Sequence, residues 1–267
     1  MGGRWTPALR LSDVVRRTCS NHGRRTPRRR RAGRYCVKRL GLLGGMSWES
    51  SIEYERIINQ FVRRKLGGMA SADLIIRSFN FADIEKLQAE NAWEMAGVVL
   101  GDAAHELELA GADAIVLCTN TMHAVSDAIE SAVSIPLIHI ADATGSAIQQ
   151  SKLDTVALLG TRYSMEKEFY AGRIRDKFQV NVIIPNERDR ATIHDVIYSE
   201  LVQGVINSES RYRYQEIIQL MVAQGAQGII AGCTEIELLF SEHDVPVPYF
   251  PTTHIHATAA ATFALSD

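Results

Sequence analysis

The sequence contains no apolar run long enough to cross a membrane. Of its 267 residues, 46% are hydrophobic and 22% are charged, and the apolar stretches are of strand length. A membrane-spanning helix needs about 20 consecutive apolar residues. The first residues also lack the apolar segment of a secretory signal. The composition is therefore that of a soluble globular protein with one or two compact domains.

Cysteine is scarce as well. The four cysteines, Cys19, Cys36, Cys118 and Cys233, follow no metal-ligand spacing and suggest no disulfide framework. The histidines are scattered and form no H-E-x-x-H motif, so no metal is expected. These absences favour a reducing, cytoplasmic setting.

The signals of nucleotide and nucleic-acid binding are weak. The glycine-rich segment at residues 41–47 reads Gly-Leu-Leu-Gly-Gly-Met-Ser, which is neither G-x-G-x-x-G nor a P-loop with its lysine. Residues 39–267 hold 17 basic and 30 acidic side chains. An acidic body gives no electrostatic reason to bind nucleic acid, and no membrane partner is expected either.

The basic charge is concentrated at the start of the chain. Residues 1–38 contain 11 arginines and Lys38 against one acid, Asp13. They show no apolar period, and such a composition predicts a disordered tail. We rank an extension without a role first, ahead of an organelle-targeting peptide and a segment that binds polyanions.

The most informative feature that is present is an internal repeat. Residues 111–121, Gly-Ala-Asp-Ala-Ile-Val-Leu-Cys-Thr-Asn-Thr, return without a gap at residues 225–235 as Gly-Ala-Gln-Gly-Ile-Ile-Ala-Gly-Cys-Thr-Glu. Each copy has a small-residue turn, an apolar run and a polar cluster, the pattern of a buried parallel strand whose carboxyl end carries chemistry. The register places Thr119 opposite Cys233.

Two further segments repeat in the same order, since residues 38–46 resemble 154–162 and residues 135–138 resemble 247–250. Strand and helix patterns alternate throughout the body, with helices expected from about His123 to Ala132 and over residues 164–178 among others. This alternation indicates parallel sheets with helices on both faces. We therefore predict an α/β fold of two pseudo-symmetric, doubly wound domains. Each has a mainly parallel sheet of about four strands, and the active site lies in the cleft between them.

The repeat also sets the predicted domain boundaries. The first lobe spans residues 39–152 and the second spans residues 153–253. The last predicted helix, residues 254–267, can pack with the first lobe.

Four polar clusters follow predicted strand ends and converge on one cleft: residues 44–47, 118–121, 160–162 and 232–235. The hydroxyls of Thr119, Thr121 and Thr234, the amide of Asn120 and the amides that open the following helices suit a carboxylate ligand. Simple helix capping is the alternative for Thr119 to Thr121.

Cys233 is the most distinctive single residue. At the amino end of a helix, the dipole and free amides would lower the pKa of its thiol and favour a reactive thiolate. The alternative is a small buried hydrophobic residue, a role that suits Cys118. Cys233 is flanked by Gly232, Thr234 and Glu235, so we favour the reactive thiol.

Three motifs together resemble the aspartate/glutamate racemase family. They are Gly-Gly-Met-Ser-Trp-Glu-Ser at residues 44–50, Cys-Thr-Asn-Thr-Met-His at 118–123 and Gly-Cys-Thr-Glu-Ile at 232–236. The resemblance runs from about Leu40 to the carboxyl end. It implies a cofactor-independent amino-acid racemase, commonly a homodimer, in which two residues flank the substrate α-carbon and exchange its proton on opposite faces.

Many relatives carry cysteine at both flanking positions, whereas here Thr119 directly precedes Asn120. The chain thus resembles the branch with a Thr/Cys pair and broad amino-acid specificity. The resemblance makes Thr119 and Cys233 the catalytic pair, with Asn120, Thr121 and Thr234 holding the substrate carboxylate and Met46 lining the pocket. A threonine hydroxyl is a poor base, so His123 is a candidate activator and Cys118 is the rival for the second base.

The substrate is expected to be an amino acid. Aspartate-specific relatives hold the side-chain carboxylate with an arginine and a lysine, and these positions align here near Ile84 and Val202. Broad specificity, including glutamate or neutral amino acids, is therefore the hypothesis. Two alternatives stay open: a related isomerase of the maleate isomerase or hydantoin racemase type, and a catalytically weak amino-acid-binding protein.

Overall fold

The computed structural model describes residues 37–267. Residues 1–36, which hold most of the predicted Arg-rich tail, lie outside the described part. The first half of the described chain contains these elements, in order: β1 (Arg39–Gly44), α1 (Trp48–Leu66), β2 (Asp73–Ser78), α2 (Phe81–Ala89), α3 (Trp93–Leu109), β3 (Ala114–Leu117), a 3₁₀ turn (Thr121–Val125), α4 (Ser126–Ala132), β4 (Leu137–Ile138) and α5 (Ile140–Gln150).

The second half follows the same plan. Its elements are β5 (Thr155–Gly160), α6 (Arg162–Glu166), α7 (Glu168–Phe178), β6 (Asn181–Ile183), α8 (Glu187–Ser199), a 3₁₀ turn (Leu201–Gln203), α9 (Ser208–Ala223), β7 (Ile229–Gly232), α10 (Ile236–Leu239), a 3₁₀ turn (Glu242–Asp244), β8 (Tyr249–Pro251) and α11 (Thr252–Leu265).

The strands form two separate four-stranded sheets with the orders β2-β1-β3-β4 and β6-β5-β7-β8. All pairings are parallel. In each sheet the second strand of the chain pairs on one side of the first strand, and the third strand pairs on the other side. This change of direction creates a topological switch point between β1 and β3 and again between β5 and β7. The predicted α/β architecture of two doubly wound sheets is confirmed.

The strand register confirms the alignment of the two halves. Leu43 of β1 pairs with Leu117 of β3, while Leu159 of β5 pairs with Ala231 of β7. Thr119 lies two residues beyond the first of these pairs, and Cys233 lies two residues beyond the second. The two residues therefore occupy equivalent places at the ends of equivalent strands.

Strand β1 is buried on both faces of the first sheet, since successive side chains point to opposite sides and nearly all of them are buried. Leu40 and Leu42 belong to one apolar cluster and Leu43 to another, and all three are fully buried. A strand that is covered on both faces needs a continuous apolar run. This explains why the repeat was recognisable in the sequence.

The C-terminal helix α11 covers the first sheet. Its Ala257, Ala260 and Ala264 lie in one buried cluster with Leu42 of β1 and Tyr54 of α1. The backbone of Lys38 also donates to the carbonyl of Ala264, 2.8 Å away. The last helix of the chain thus packs on the first strand. The lobe boundaries at residues 152 and 153 stay a prediction.

Some predicted elements differ from the structure. The helix α2 was not predicted, and the helix expected over residues 164–178 is divided into α6 and α7. A short 3₁₀ turn replaces the start of the helix that was expected at His123. These differences concern short segments without a full apolar period, where side-chain packing rather than sequence pattern decides the conformation.

Candidate active site

One cavity of about 400 Å³ lies at the carboxyl ends of both sheets. Its walls come from the segments that follow β1, β3, β5 and β7 and from the helices α2 and α8. The lining residues are Met46, Ser47, Ser50, Phe81, Gln88, Thr119, Asn120, Thr121, Thr161, Ile197, Tyr198, Val202, Cys233, Thr234 and Glu235. All six residues that the sequence predicted for catalysis or substrate binding are among them. The cavity joins the two switch points, which is where ligands bind in open α/β sheets.

A glycine turn after β1 forms one wall. Gly45 has a φ of +84°, and a Cβ atom there would lie 2.3 Å from the carbonyl oxygen of Phe79. Only glycine fits both conditions. Its amide donates to the Ser51 hydroxyl at 2.7 Å. The tight turn brings Met46 and Ser47 to the cavity wall directly after the strand.

The segment after β3 supplies Thr119, Asn120 and Thr121. Thr119 is 8% exposed. The Thr121 hydroxyl lies 2.9 Å from the hydroxyl of Thr161, which follows β5 in the other sheet. This hydroxyl pair ties the two sheets together beside the cavity, so Thr121 has less freedom to bind a ligand than its position in the sequence indicated.

The orientation of the Asn120 amide is fixed by a chain of hydrogen bonds. Thr252 donates its single hydroxyl proton to the Ala231 carbonyl at 2.7 Å, so it can only accept from Asn120 Nδ2, 3.0 Å away. Asn120 Oδ1 is then a buried acceptor without a partner in the structure. Such an oxygen suits a ligand that donates hydrogen bonds, for example an ammonium group.

The segment after β7 carries the ionisable groups. Cys233 is 8% exposed, and its thiol donates to Glu235 Oε2 at 2.9 Å. The other carboxylate oxygen, Oε1, accepts from Ser47 Oγ at 2.7 Å and from Ser50 Oγ at 3.3 Å. Glu235 therefore links the thiol of one sheet to the serines that follow the first strand of the other.

The expectation that the Cys233 thiol has a lowered pKa is wrong. Burial raises the pKa of Cys233 well above its usual value, and the negative charge of Glu235 raises it further. The helix that follows, α10, has only four residues. The dipole of so short a helix lowers the pKa of the thiol only slightly. Burial and the carboxylate in contact with the sulfur both raise that pKa, and their effects are larger.

The rival second base, Cys118, does not reach the cavity. It is fully buried in the cluster of Leu42 and Val116, and its thiol points to the Val116 carbonyl at 3.7 Å. Burial raises the pKa of Cys118 as well. Because side chains alternate along a strand, the residue before Thr119 is directed into the core.

His123 does not contact the Thr119 hydroxyl, so the expected activation is not formed. Its Nδ1 lies 2.8 Å from the backbone carbonyl of Thr119, and its Nε2 accepts from the amide of Ile140 at 3.2 Å. These partners fix a neutral tautomer with the proton on Nδ1. Burial and the neighbouring His139 and His256 lower the pKa of His123 well below its usual value.

Three residues of the site carried no role in the sequence analysis. Glu235 and Ser47 were present in the strand-end clusters, but nothing in the sequence showed that they meet. Ser50 lies on the first turn of α1, where a serine is usually read as a capping residue. Only the three-dimensional approach of the two sheets reveals this carboxylate and its donors.

The remaining wall is neutral. Phe81, Ile197 and Val202 supply apolar surface, and Tyr198 donates to Gln88 Oε1 at 3.0 Å. Val202 lies at the cavity, as the alignment placed it, whereas Ile84 is buried in the core of the first lobe. Among the fifteen lining residues in the described chain there is no lysine, arginine or histidine.

Two parallel sheets that share one cavity at their switch points define a two-domain α/β architecture, and the sequence profile specifies it further. The chain belongs to the family described as Asp/Glu/Hydantoin racemase, whose profile matches residues 43–260.

Individual relatives agree with this assignment. A solved structure from Yersinia pestis, provisionally assigned as an Asp/Glu racemase, is 52% identical and has a TM-score of 0.82, covering 86% of this chain and 100% of that one. An aspartate racemase homologue from Pyrococcus horikoshii OT3 is 31% identical with a TM-score of 0.75 and the same coverage. Both similarities extend over nearly all of residues 37–267.

A curated relative is the broad specificity amino-acid racemase RacX of Bacillus subtilis (strain 168). It is 25% identical over 150 residues, which is 55% of this chain. The match spans 63% of the length of that relative.

No helix among residues 37–267 combines the length and the apolar character that crossing a membrane requires.

Proposed function

We propose that the protein is a cofactor-independent amino-acid racemase that inverts the α-carbon by two-base proton transfer. The observation that carries the proposal is the placement of Thr119 and Cys233. They stand at equivalent strand ends of the two sheets and line the same cavity. Two proton-transfer groups that approach one cavity from opposite sheets are suited to removing a proton from one face of a stereocentre and delivering a proton to the other face.

In the proposed reaction, one flanking residue removes the α-proton and the other delivers a proton to the opposite face. The α-carbon is a weak acid, so the developing charge needs hydrogen-bond donors that are already in place. The hydroxyls of Thr121 and Thr234 are the candidates around the α-carboxylate. The unpartnered Oδ1 of Asn120 is assigned to the α-ammonium group. These polar residues of the cavity wall are buried, and limited contact with bulk water strengthens their hydrogen bonds.

The neutral wall supports broad specificity. A carboxylate side chain would enter a cavity without a cationic partner among its lining residues, next to the carboxylate of Glu235. Burying an unpaired charge is costly, so we propose that amino acids with neutral side chains are preferred over aspartate. The apolar surface of Phe81, Ile197 and Val202 is the proposed contact for the substrate side chain.

The test is a panel of enantiopure amino acids incubated with the protein in D₂O. Chiral chromatography measures inversion, and mass spectrometry measures deuterium at Cα. We expect inversion with incorporation of one deuterium for several neutral amino acids, without added pyridoxal phosphate. An exclusive preference for aspartate would contradict the proposed specificity. Absence of Cα exchange with every unmodified amino acid would instead favour the related isomerases or a binding protein.

We also propose a homodimer in the cytoplasm, as the family resemblance implies. Light scattering coupled to size-exclusion chromatography measures the oligomeric state. A monomer at micromolar concentration would contradict this part of the proposal without affecting the chemistry.

A further inference from the structure

The thiol of Cys233 and the carboxylate of Glu235 are in direct contact in the cavity. The thiol donates to Glu235 Oε2 at 2.9 Å, and Glu235 is 5% exposed. Charge-assisted hydrogen bonds to a buried carboxylate are strong and directional. The pair is therefore a built feature of the cavity rather than a chance encounter of flexible side chains.

The carboxylate is held by hydroxyls and by no cation. Ser47 and Ser50 both donate to Oε1, which leaves Oε2 directed at the sulfur. No lysine, arginine or histidine lines the cavity in the described chain. Without a cation nearby, loss of the thiol proton to solvent would place two negative charges in contact, so the geometry favours one proton held between the sulfur and Oε2.

We propose that Glu235 is the proton partner of Cys233, and this inference rests on the racemase function proposed above. The S–H bond of Cys233 breaks as an O–H bond forms at Glu235 Oε2, which leaves a thiolate and a carboxylic acid. The thiolate then takes the α-proton of one enantiomer. In the reverse direction the thiol gives its proton to the carbanion, and the Glu235 acid returns a proton to the sulfur.

This arrangement accounts for a thiol that burial would otherwise make inert. An isolated buried thiol with a raised pKa has almost no thiolate at neutral pH. A carboxylate in contact with the sulfur supplies a thiolate by internal transfer, with no change in the net charge of the cavity. Burial makes such a transfer less costly than losing the proton to solvent.

Three other titratable groups interact with Cys233: Glu237, Tyr198 and Tyr214. Glu237 on α10 raises the pKa of Cys233, as Glu235 does. The hydroxyls of Tyr198 on α8 and Tyr214 on α9 both have raised pKa values, chiefly through burial, and stay neutral over the range of the test. Burial raises the pKa of Glu237 to about 8, and this residue does not line the cavity, so Glu237→Gln is a matched control for the loss of a nearby carboxyl group.

The test compares the wild type with Glu235→Gln and Glu237→Gln in two measurements. The first is the rate of alkylation of Cys233 by iodoacetamide from pH 5 to 10, located by peptide mass spectrometry, in the absence of any substrate. The second is the pH profile of kcat for inversion. Near-ultraviolet circular dichroism confirms that each variant is folded.

A shared proton predicts a wild-type alkylation rate that is nearly flat between about pH 6 and 8, because the internal transfer does not depend on solvent protons. In Glu235→Gln the thiol ionises alone. Its alkylation should then rise about tenfold per pH unit, and kcat should fall at least about 100-fold at pH 7 and recover along the same curve at alkaline pH. Glu237→Gln should keep the wild-type shape of both curves.

The inference is overturned if Glu235→Gln lowers kcat by the same factor at every pH, or if its alkylation curve parallels the wild type. An equal change in Glu237→Gln also overturns it, because the loss of any nearby carboxyl group would then explain the effect. If Glu235→Gln does not fold, Glu235→Asp takes its place: it keeps the carboxylate and must keep the flat region. Since alkylation needs no substrate, the pair remains testable even if Cα exchange is absent and the racemase proposal fails.

Discussion

The ends of β3 and β7 have the same place in the fold but different surroundings. Thr119 lies two residues past the Leu43–Leu117 pair, and Cys233 lies two residues past the equivalent Leu159–Ala231 pair. Behind Thr119, His123 bonds to the backbone carbonyl and not to the hydroxyl. Beside Cys233, Glu235 contacts the sulfur itself. The repeated backbone therefore places Thr119 and Cys233 at equivalent positions. The side chains around them differ between the two halves, and these side chains decide the acid–base chemistry.

This difference has a consequence for catalysis. A racemase acts on two substrates of equal free energy, so kcat/KM must be the same in both directions whatever the two bases are. Unequal bases are instead expected to appear in the separate kcat and KM values and in exchange without inversion. Variants at the two strand ends are the way to expose the asymmetry.

The largest effect is expected at Cys233. Cys233→Ser leaves a hydroxyl on both sides of the substrate, and we expect inversion to fall at least about 1,000-fold, because a hydroxyl is a much weaker base than a thiolate. Chiral chromatography measures the loss, and ligand-induced shifts in thermal unfolding test whether amino-acid binding persists.

Cys118→Ala is the control for the other free thiol of the described chain. Its sulfur lies in the core and not at the cavity. We expect inversion within about threefold of wild type and a stability loss of about 1 kcal/mol from the small void. A loss of inversion as large as that of Cys233→Ser would restore Cys118 as a catalytic residue.

The next largest effect is expected at Thr119. Thr119→Ala removes the hydroxyl from one face, and inversion should fall about 100-fold, the usual contribution of a general acid or base. Cys233 can still remove and return a proton on its own face, so one enantiomer should exchange deuterium at Cα without inversion. Mass spectrometry and chiral chromatography of each enantiomer separate the two processes.

Thr119→Ser keeps the hydroxyl and serves as the control, with inversion expected within about tenfold of wild type. Rapid inversion by Thr119→Ala would show that another group protonates that face. Thr119 would then not be the counterpart of Cys233 in proton transfer.

The smallest effect concerns stability at acid pH. The buried histidines His123, His139 and His256 cluster beneath the β3 end, with ring centroids 4.5 and 5.7 Å from His123. Burial lowers the pKa of His139 to about 2 and that of His256 to about 4. Their neutral forms stabilise the fold fully above the unfolded pKa of about 6.5. As the pH falls below that value, each histidine costs about 1.4 kcal/mol per pH unit until its folded pKa is reached.

The matched variant is His139→Asn. His139 caps α5 by accepting from the amide of Ala141, and asparagine is a good residue for the same position. We expect the acid slope of the unfolding free energy between about pH 6 and 4.5 to fall by about 1.4 kcal/mol per pH unit. Urea titrations at several pH values measure it, and an unchanged slope would mean that His139 does not set acid stability.

The sequence was sufficient for the strands and for the position of the cavity. Buried parallel strands need uninterrupted apolar runs, and their polar ends mark the switch points, so the repeated pattern alone aligns Thr119 with Cys233. The helix α2 was missed because it has only nine residues, which are too few to show a helical apolar period clearly.

The contacts that set the chemistry were not predictable in the same way. Ser47 and Glu235 are 188 residues apart in the chain and meet only when the two sheets face each other. The raised pKa of Cys233 follows from its burial and from its contact with Glu235. Local sequence indicated a helix terminus and therefore the opposite shift. Such errors arise wherever long-range burial outweighs a local electrostatic preference.

The placement of α11 also has a consequence for how the protein is made. The core around Leu42 and Tyr54 is completed by Ala257, Ala260 and Ala264, which lie in the last helix described. During synthesis the first lobe therefore emerges from the ribosome with one apolar face uncovered, and it stays so until these alanines have emerged as well. Chaperone protection of the nascent chain should matter more for the first lobe than for the second, although the first is made earlier.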